Sequence, residues 1–236
     1  MPPSNLELLK NMFTEGYTHT PGGLFPATAQ FICSTLPVCD LSLGKSKDVV
    51  IHGEVTIPQT NQRASALHIV CAGVTGDVFG YFRPNNTLVG AVKIVFVHES
   101  NAGENSTPVD ESKLTFTEIG TVRVDSSMVQ VATSGFQKLC EEADQSLENS
   151  GGDPAEFLEK LQSSEIPGFT SAKSDDTGYS SVTTINDESS VDISAGYGDG
   201  QYPVVLGVDE KGDTQIVYID FLLFQRADII ERIIKG

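Results

Sequence analysis

Between Ala27 and Val97 apolar and polar residues alternate with a period of two, interrupted by Gly, Asn and Pro. This pattern predicts strands at about 27–33, 48–57, 66–72, 77–83 and 88–97. Over 48–57 the alternation puts Val49, Ile51, Val55 and Ile57 on one face of a single strand, with His52, Glu54 and Thr56 on the other. Pro84-Asn85-Asn86 predicts a hairpin turn, because Pro presets φ and Asn tolerates positive φ. Strands resume at 119–124 and 127–132. The clearest hairpin is 201–208, the turn Asp209-Glu210-Lys211-Gly212, and 214–224. The polar segment 170–192 reads as edge strands or a loop.

Helical spacing appears in four places. Ser4-Asn5-Leu6-Glu7 is a capping box that opens a helix over about 5–15, with Leu6, Leu9 and Phe13 on one face and Gly16 at its end. Ser134 to Gln137 repeats the capping pattern before Phe136, Leu139, Cys140, Ala143 and Leu147. Asp153-Pro154 opens a short helix carrying Phe157, Leu158 and Leu161. The last helix, about 226–235, stripes Ile229, Ile230, Ile233 and Ile234.

Together these elements predict a mainly β fold of the β-rich α+β class: two antiparallel β halves with short peripheral helices, a duplicated β-sandwich being one form of it. Residues 1–98 form the amino-terminal helix and β domain, 99–113 a linker, and 114–236 a β domain with a helical insert and a carboxy-terminal helix. Setting 77–97 against 199–219 without a gap pairs Gly90 with Gly212 and Ile94 with Ile216, an offset of 122 residues that would mark the duplication.

Charge narrows the function. The formal charge is −17, and it is uneven: residues 1–118 hold 7 Lys/Arg against 11 Asp/Glu, whereas 119–236 hold 8 against 21. Binding to phosphate backbones needs a basic surface, so nucleic acid and anionic membrane are excluded as partners, and a basic protein is the candidate partner instead. The amino terminus has no apolar leader pattern and no run of residues reaches membrane-span length. Cys33, Cys39, Cys71 and Cys140 show no paired spacing and read as buried thiols, so a cytoplasmic location is expected.

Two constellations could carry chemistry. His52 and Glu54 share a strand face, and His68 lies on the next predicted strand, so the three could hold a metal ion if the strands paired. Asp125-Ser126-Ser127 follows a strand without the glycines of a nucleophile elbow, and no histidine lies in the second half. Gly196 to Gly200 precedes a strand, whereas phosphate-binding glycine loops precede helices. Asp199, Asp209, Asp213 and Asp220 lack calcium-loop spacing, and Asp220 interrupts the apolar run Ile216 to Phe224. No cofactor is implied.

Ile119-Gly120-Thr121-Val122 and Val124-Asp125-Ser126, followed by Gly198-Asp199-Gly200, Tyr202-Pro203-Val204, Gly207, Asp209, Gly212 and Asp220-Phe221, carry a family resemblance. Over about 115–224 the chain resembles the uncharacterised family catalogued as domain of unknown function 4241. Where the family pattern has glycine after Val-Asp-Ser, this chain has Ser127. The family has no established activity, so the resemblance implies a fold and not a reaction. The expectation is a noncatalytic acidic binding or protein-interaction module, with Asp125, Ser126, Asp199, Tyr202 and Asp220 as candidate binding residues. The alternative is a hydrolase or metal-dependent enzyme using His52, Glu54 and His68.

Overall fold

The computed structural model describes residues 5–20, 30–39, 48–58, 62–75, 87–98, 109–150, 169–174, 179–185, 187–196 and 198–224. The predicted strand 77–83 with its Pro84 turn, the short helix after Asp153, the helix at 226–235 and Ser4 lie outside these residues.

The strands in chain order are β1 (Thr18–His19), β2 (Gln30–Cys39), β3 (Val49–Ile51), β4 (Val55–Ile57), β5 (Gln62–Thr75), β6 (Thr87–His98) and β7 (Thr115–Val124). They continue as β8 (Met128–Thr133), β9 (Phe169–Ser174), β10 (Ser180–Ile185), β11 (Glu188–Ser194), β12 (Gly200–Val208) and β13 (Thr214–Asp220). A seven-stranded sheet has the order β1-β2-β5-β6-β13-β12-β7, and a six-stranded sheet the order β4-β3-β8-β11-β10-β9. Neighbouring strands run antiparallel throughout.

The two sheets pack face to face. Val92, Ile94 and Phe96 of β6, Val122 and Val124 of β7, Tyr202 and Val204 of β12, and Val217 and Ile219 of β13 bury against Val49 and Ile51 of β3, Val129 and Val131 of β8, and Val191 and Ile193 of β11. Each such apolar side chain contributes about 1.5–3 kcal/mol on full burial, so this layer dominates the stability. On the other face of the larger sheet, Phe31, Ile216 and Tyr218 receive Leu9 and Met12 of α1 (Leu6–Met12). On the outer face of the smaller sheet, Ala132 and Ile185 receive Phe136 of α2 (Ser134–Ser150). The result is a β-rich sandwich with one helix on each outer face.

Each sheet joins a block of strands from before residue 98 to a block from after residue 114. Ile94 of β6 stands opposite Val217 of β13, and Val50 of β3 stands opposite Ala132 of β8. The two stretches therefore share both sheets, meeting at the β6–β13 and β3–β8 seams. The 122-residue offset also fails as a structural equivalence. It pairs Ile94, in the layer between the sheets, with Ile216, on the α1 side. A slip of one residue in a strand reverses every face, so that alignment superposes opposite surfaces.

Local detail departs from expectation at three points. The predicted single strand 48–57 is a hairpin: His52 (φ 51°) and Gly53 (φ 70°) both turn left-handed, and the Glu54 N–H donates to the Ile51 carbonyl at 3.0 Å. Two positive φ values are the signature of a type I′ turn. At α1 the cap residue is Asn5, with no side-chain capping bond, so a seven-residue helix depends on its packing. At α2 the cap falls one residue before Ser134. Thr133 Oγ1 accepts from the Phe136 N–H at 3.2 Å and donates to Glu188 Oε2 at 2.5 Å. A Cβ on Gly135 would lie 2.3 Å from the Glu188 carboxyl carbon, so glycine is what admits this buried carboxylate to the helix start.

Among the described residues no helix is long and apolar enough to cross a membrane.

The two shared seams set a testable expectation. Fragments 1–98 and 109–236, expressed separately, will each lack sheet-like circular dichroism and a cooperative melt, because each loses the partner of its most buried strand. A cooperative melt in either fragment alone would contradict the dependence of each stretch on these seams.

Candidate functional site

The turn from β7 to β8 is built by residues that lie far apart in sequence. Ser127 sits at φ 59°, a conformation that costs about 1–2 kcal/mol for a residue with a Cβ. It is held there by Asp199, whose Oδ1 accepts from the Ser127 N–H at 3.1 Å and from its hydroxyl at 3.3 Å. The Ser127 carbonyl in turn accepts from the Ala195 N–H at 3.0 Å. Gly198 (φ 98°) bends the chain so that its carbonyl accepts from the Tyr202 hydroxyl at 2.6 Å. A Cβ on Gly198 would lie 3.0 Å from Ser127 Oγ. Gly200 then pairs with Val124 at the start of β12.

These ties bring Asp125 and Asp199 to one end of the sandwich. Together with Arg123, Val124, Gly200 and Gln201 they line an open groove of about 600 Å3. Arg123 and Gln201 stand opposite each other in the β7–β12 ladder. Sequence reading missed both; the available signal was that each flanks a recognised motif by one or two residues. Asp125 and Asp199 are both exposed residues at the groove.

The other candidate binding residues do different work. Ser126 lies in the same turn, its hydroxyl directed at the Met128 carbonyl at 3.5 Å. Tyr202 is fully buried in the core, edge-on to Phe221 with ring centroids 5.1 Å apart. Asp220 is buried on the α1 side of the larger sheet, and its Oδ1 accepts from the Leu222 N–H at 2.8 Å, closing the turn that ends β13. Leu222 is itself left-handed at φ 54°, which explains why a carboxylate interrupts an apolar run there. Asp209 has a similar task in the β12–β13 turn. It accepts from the N–H groups of Lys211 and Asp213 and from the Gln215 amide at 2.9–3.0 Å.

His52, Glu54 and His68 do not converge. His52 and Glu54 sit in the β3–β4 turn, where His52 Nδ1 accepts from the Gln130 N–H at 3.4 Å and Glu54 Oε2 accepts from the Arg123 N–H at 2.9 Å. His68 belongs to β5 of the larger sheet, between Pro37 and Lys93. Glu54 meets that sheet at β7, four strands away across β6, β13 and β12. At ~4.8 Å per strand this is roughly 19 Å, far beyond shared coordination. Among the described residues no group of three or more His, Cys, Asp or Glu is arranged to hold a metal ion.

One titratable group on the smaller sheet was not anticipated. Asp192 of β11 is pushed up from the ordinary carboxylate range by burial, against the opposing pull of the Gln130 amide at 3.5 Å and the nearby His52. Its signal in the sequence was the alternation Glu188, Ser190, Asp192, Ser194, a polar face opposite Val191 and Ile193.

Substitutions at Ser127 test the turn. In Ser127→Gly, relief of the left-handed backbone, about 1 kcal/mol, offsets loss of the hydroxyl contact to Asp199, also about 1 kcal/mol. Stability in urea will stay within about 1 kcal/mol of the parent. Ser127→Val adds β-branching at positive φ and will cost about 2 kcal/mol or more. Equal stability of the two variants would contradict the left-handed geometry.

Residues 73–219 match the family described as protein of unknown function DUF4241. Comparison with curated proteins and with solved structures found no match. The matched region reaches back beyond the residues that carried the resemblance, to the end of β5, and takes in β6. It contains both converging motifs, Val124 to Ser127 and Gly198 to Tyr202, and covers more than half of the chain. The chain belongs to the DUF4241 family.

Proposed function

We propose that the protein is a noncatalytic binding module that engages a basic protein segment at the open end of the sandwich. The carrying observation is the convergence of Asp125 and Asp199, 74 residues apart, in one groove whose backbone is fixed from within. Asp199 is anchored to Ser127 and the preceding Gly198 carbonyl to the Tyr202 hydroxyl, so the Asp199 carboxylate is placed before a partner arrives. The charge of the surrounding region supports a cationic partner: residues 119–236 carry 8 Lys/Arg and 21 Asp/Glu. Such a field steers association and is screened by salt.

A cytoplasmic setting accords with Cys33, a buried thiol outside any disulfide. Burial pushes the Cys33 thiol up to about 11, so it stays protonated and unreactive. The metal-dependent alternative loses its support from the placement of His52 and Glu54, both engaged as acceptors at strand edges.

Binding of fluorescein-labelled hexalysine, followed by anisotropy at about 0.05 M and about 0.3 M salt, tests the reading. Asp125→Asn will weaken binding by about threefold to fivefold and Asp125→Lys by about tenfold, as expected for one partly screened charge contact. Glu141→Gln, the same loss of charge on the exposed surface of α2, will leave it unchanged. Equal affinity of the parent and both Asp125 variants would refute the end groove as the binding face.

A further inference from the structure

Among the described residues β7 forms one edge of the seven-stranded sheet, and an edge strand presents unpaired peptide groups. Its two ends are treated differently. Near β8 the outward N–H of Arg123 is capped by Glu54, and Val55 lies 3.5 Å from where a Cβ on Gly120 would stand, so the β3–β4 turn covers that stretch. Toward its start the strand is open: Thr115, Thr117, Glu118 and Ile119 are exposed. Arg123 faces outward, so alternation turns Thr121 outward too. The ladder steps from Gly120 opposite Val204 to Glu118 opposite Val205, which leaves Ile119 as a bulge. Counting on through that bulge turns the peptide groups of Phe116 and Glu118 outward.

A groove of about 550 Å3 runs along this open stretch, between Thr115, Phe116 and Thr117 on one side and Leu6, Glu7 and Lys10 of α1 on the other. Its walls are fixed by partly buried contacts. The Lys10 ammonium lies 4.3 Å from the centre of the Phe116 ring. Gly207 makes room for that ring, since a Cβ there would be 2.7 Å from Phe116 Cε1. At the groove's end Glu111 is held from both sides, accepting from the Tyr218 hydroxyl at 2.8 Å and meeting Lys93 Nζ at 2.6 Å.

We propose that this groove binds an extended segment of a partner protein, which adds to β7 as a further strand with an apolar side chain over Phe116 and Leu6 and cationic side chains beside Glu7 and Glu118. Backbone groups of an open edge supply the affinity in such strand addition, and pockets for alternate side chains supply the selectivity. Charge decides against a second copy of the same chain: each copy carries −17, and Glu7 in the groove and Glu118 just beyond it on β7 are exposed and acidic like the rest of the surface. The site lies at the opposite end of β7 from Arg123 and Asp125 and stands independently of the end groove.

The test uses the full chain and a labelled peptide of alternating Lys and Val. Versions N-methylated at the Val positions or at the Lys positions keep every side chain but cannot donate from those peptide groups. One of the two will bind about tenfold more weakly than the parent, as expected for lost backbone hydrogen bonds. Glu118→Gln, which removes only charge, will weaken binding by about threefold, and Glu118→Pro, which also removes an outward N–H at a position where an edge strand tolerates proline, by about tenfold or more. Melting curves establish that both variants fold, and the N-methyl comparison stands on the parent protein alone. Unchanged binding of both methylated peptides, or equal affinity of Glu118→Gln and Glu118→Pro, would overturn strand addition. A concentration-dependent dimer abolished by Glu118→Pro would overturn the choice of partner.

Discussion

The pairing of β6 with β13 is the contact on which the rest of the architecture depends. It sets Val92 opposite Ile219 and Ile94 opposite Val217, and all four side chains are fully buried between the sheets. Through it the early strands β1, β2 and β5 join β12 and β7 in one sheet. The family-matched region, 73–219, contains both members of the pair. Among the described residues it takes in β6, β13 up to Ile219, β12 and β7 on one side and β8, β11, β10 and β9 on the other, four strands over four. The remaining strands extend this body at its margins: β1, β2 and β5 widen the larger sheet beyond β6, while β3 and β4 widen the smaller one beyond β8.

A second constraint acts within β7. Phe116 points to the α1 side and packs beside Tyr218, whereas Val122 and Val124 point between the sheets. Strict alternation would put all three on the same face, since their positions are all even. The bulge at Ile119 reverses the phase, so one strand seals two different cores. It also leaves two different surfaces at its ends, a mixed apolar and charged groove beside α1 and an acidic groove beside the β8 turn.

What could be read from the sequence was whatever local chemistry determines. The β12–β13 hairpin was legible because Asp209 satisfies the turn's own N–H groups and Gly212 takes φ 86°, both within the turn itself. The core of α2 was legible from 3.6-residue spacing, but its cap was misplaced by one residue because the bond from Thr133 competes with an equally plausible serine. The His52-Gly53 turn escaped notice because alternation of Val49, Ile51, Val55 and Ile57 continues in phase across it. Strands β9 to β11 were indistinct because β11 turns Glu188, Ser190 and Asp192 outward and keeps only Val191 and Ile193 for the core. The Asp199 to Ser127 contact spans 72 residues and has no periodic trace. Family resemblance grouped those residues, and the structure supplies the reason: where the family pattern has glycine, Ser127 adopts the left-handed backbone that glycine adopts freely.

Native-state amide hydrogen exchange tests the seam between early and late strands most directly. If the β6–β13 pairing joins early and late strands in one cooperative body, amides of Val92 and Ile94, of Val217 and Ile219, and of Val129 and Val131 in the facing sheet will exchange with one common free energy, equal to that of global unfolding. Protection of β6 lower than that of β13 by more than about 1 kcal/mol, with the two responding separately to denaturant, would show that the seam opens on its own and would contradict the account.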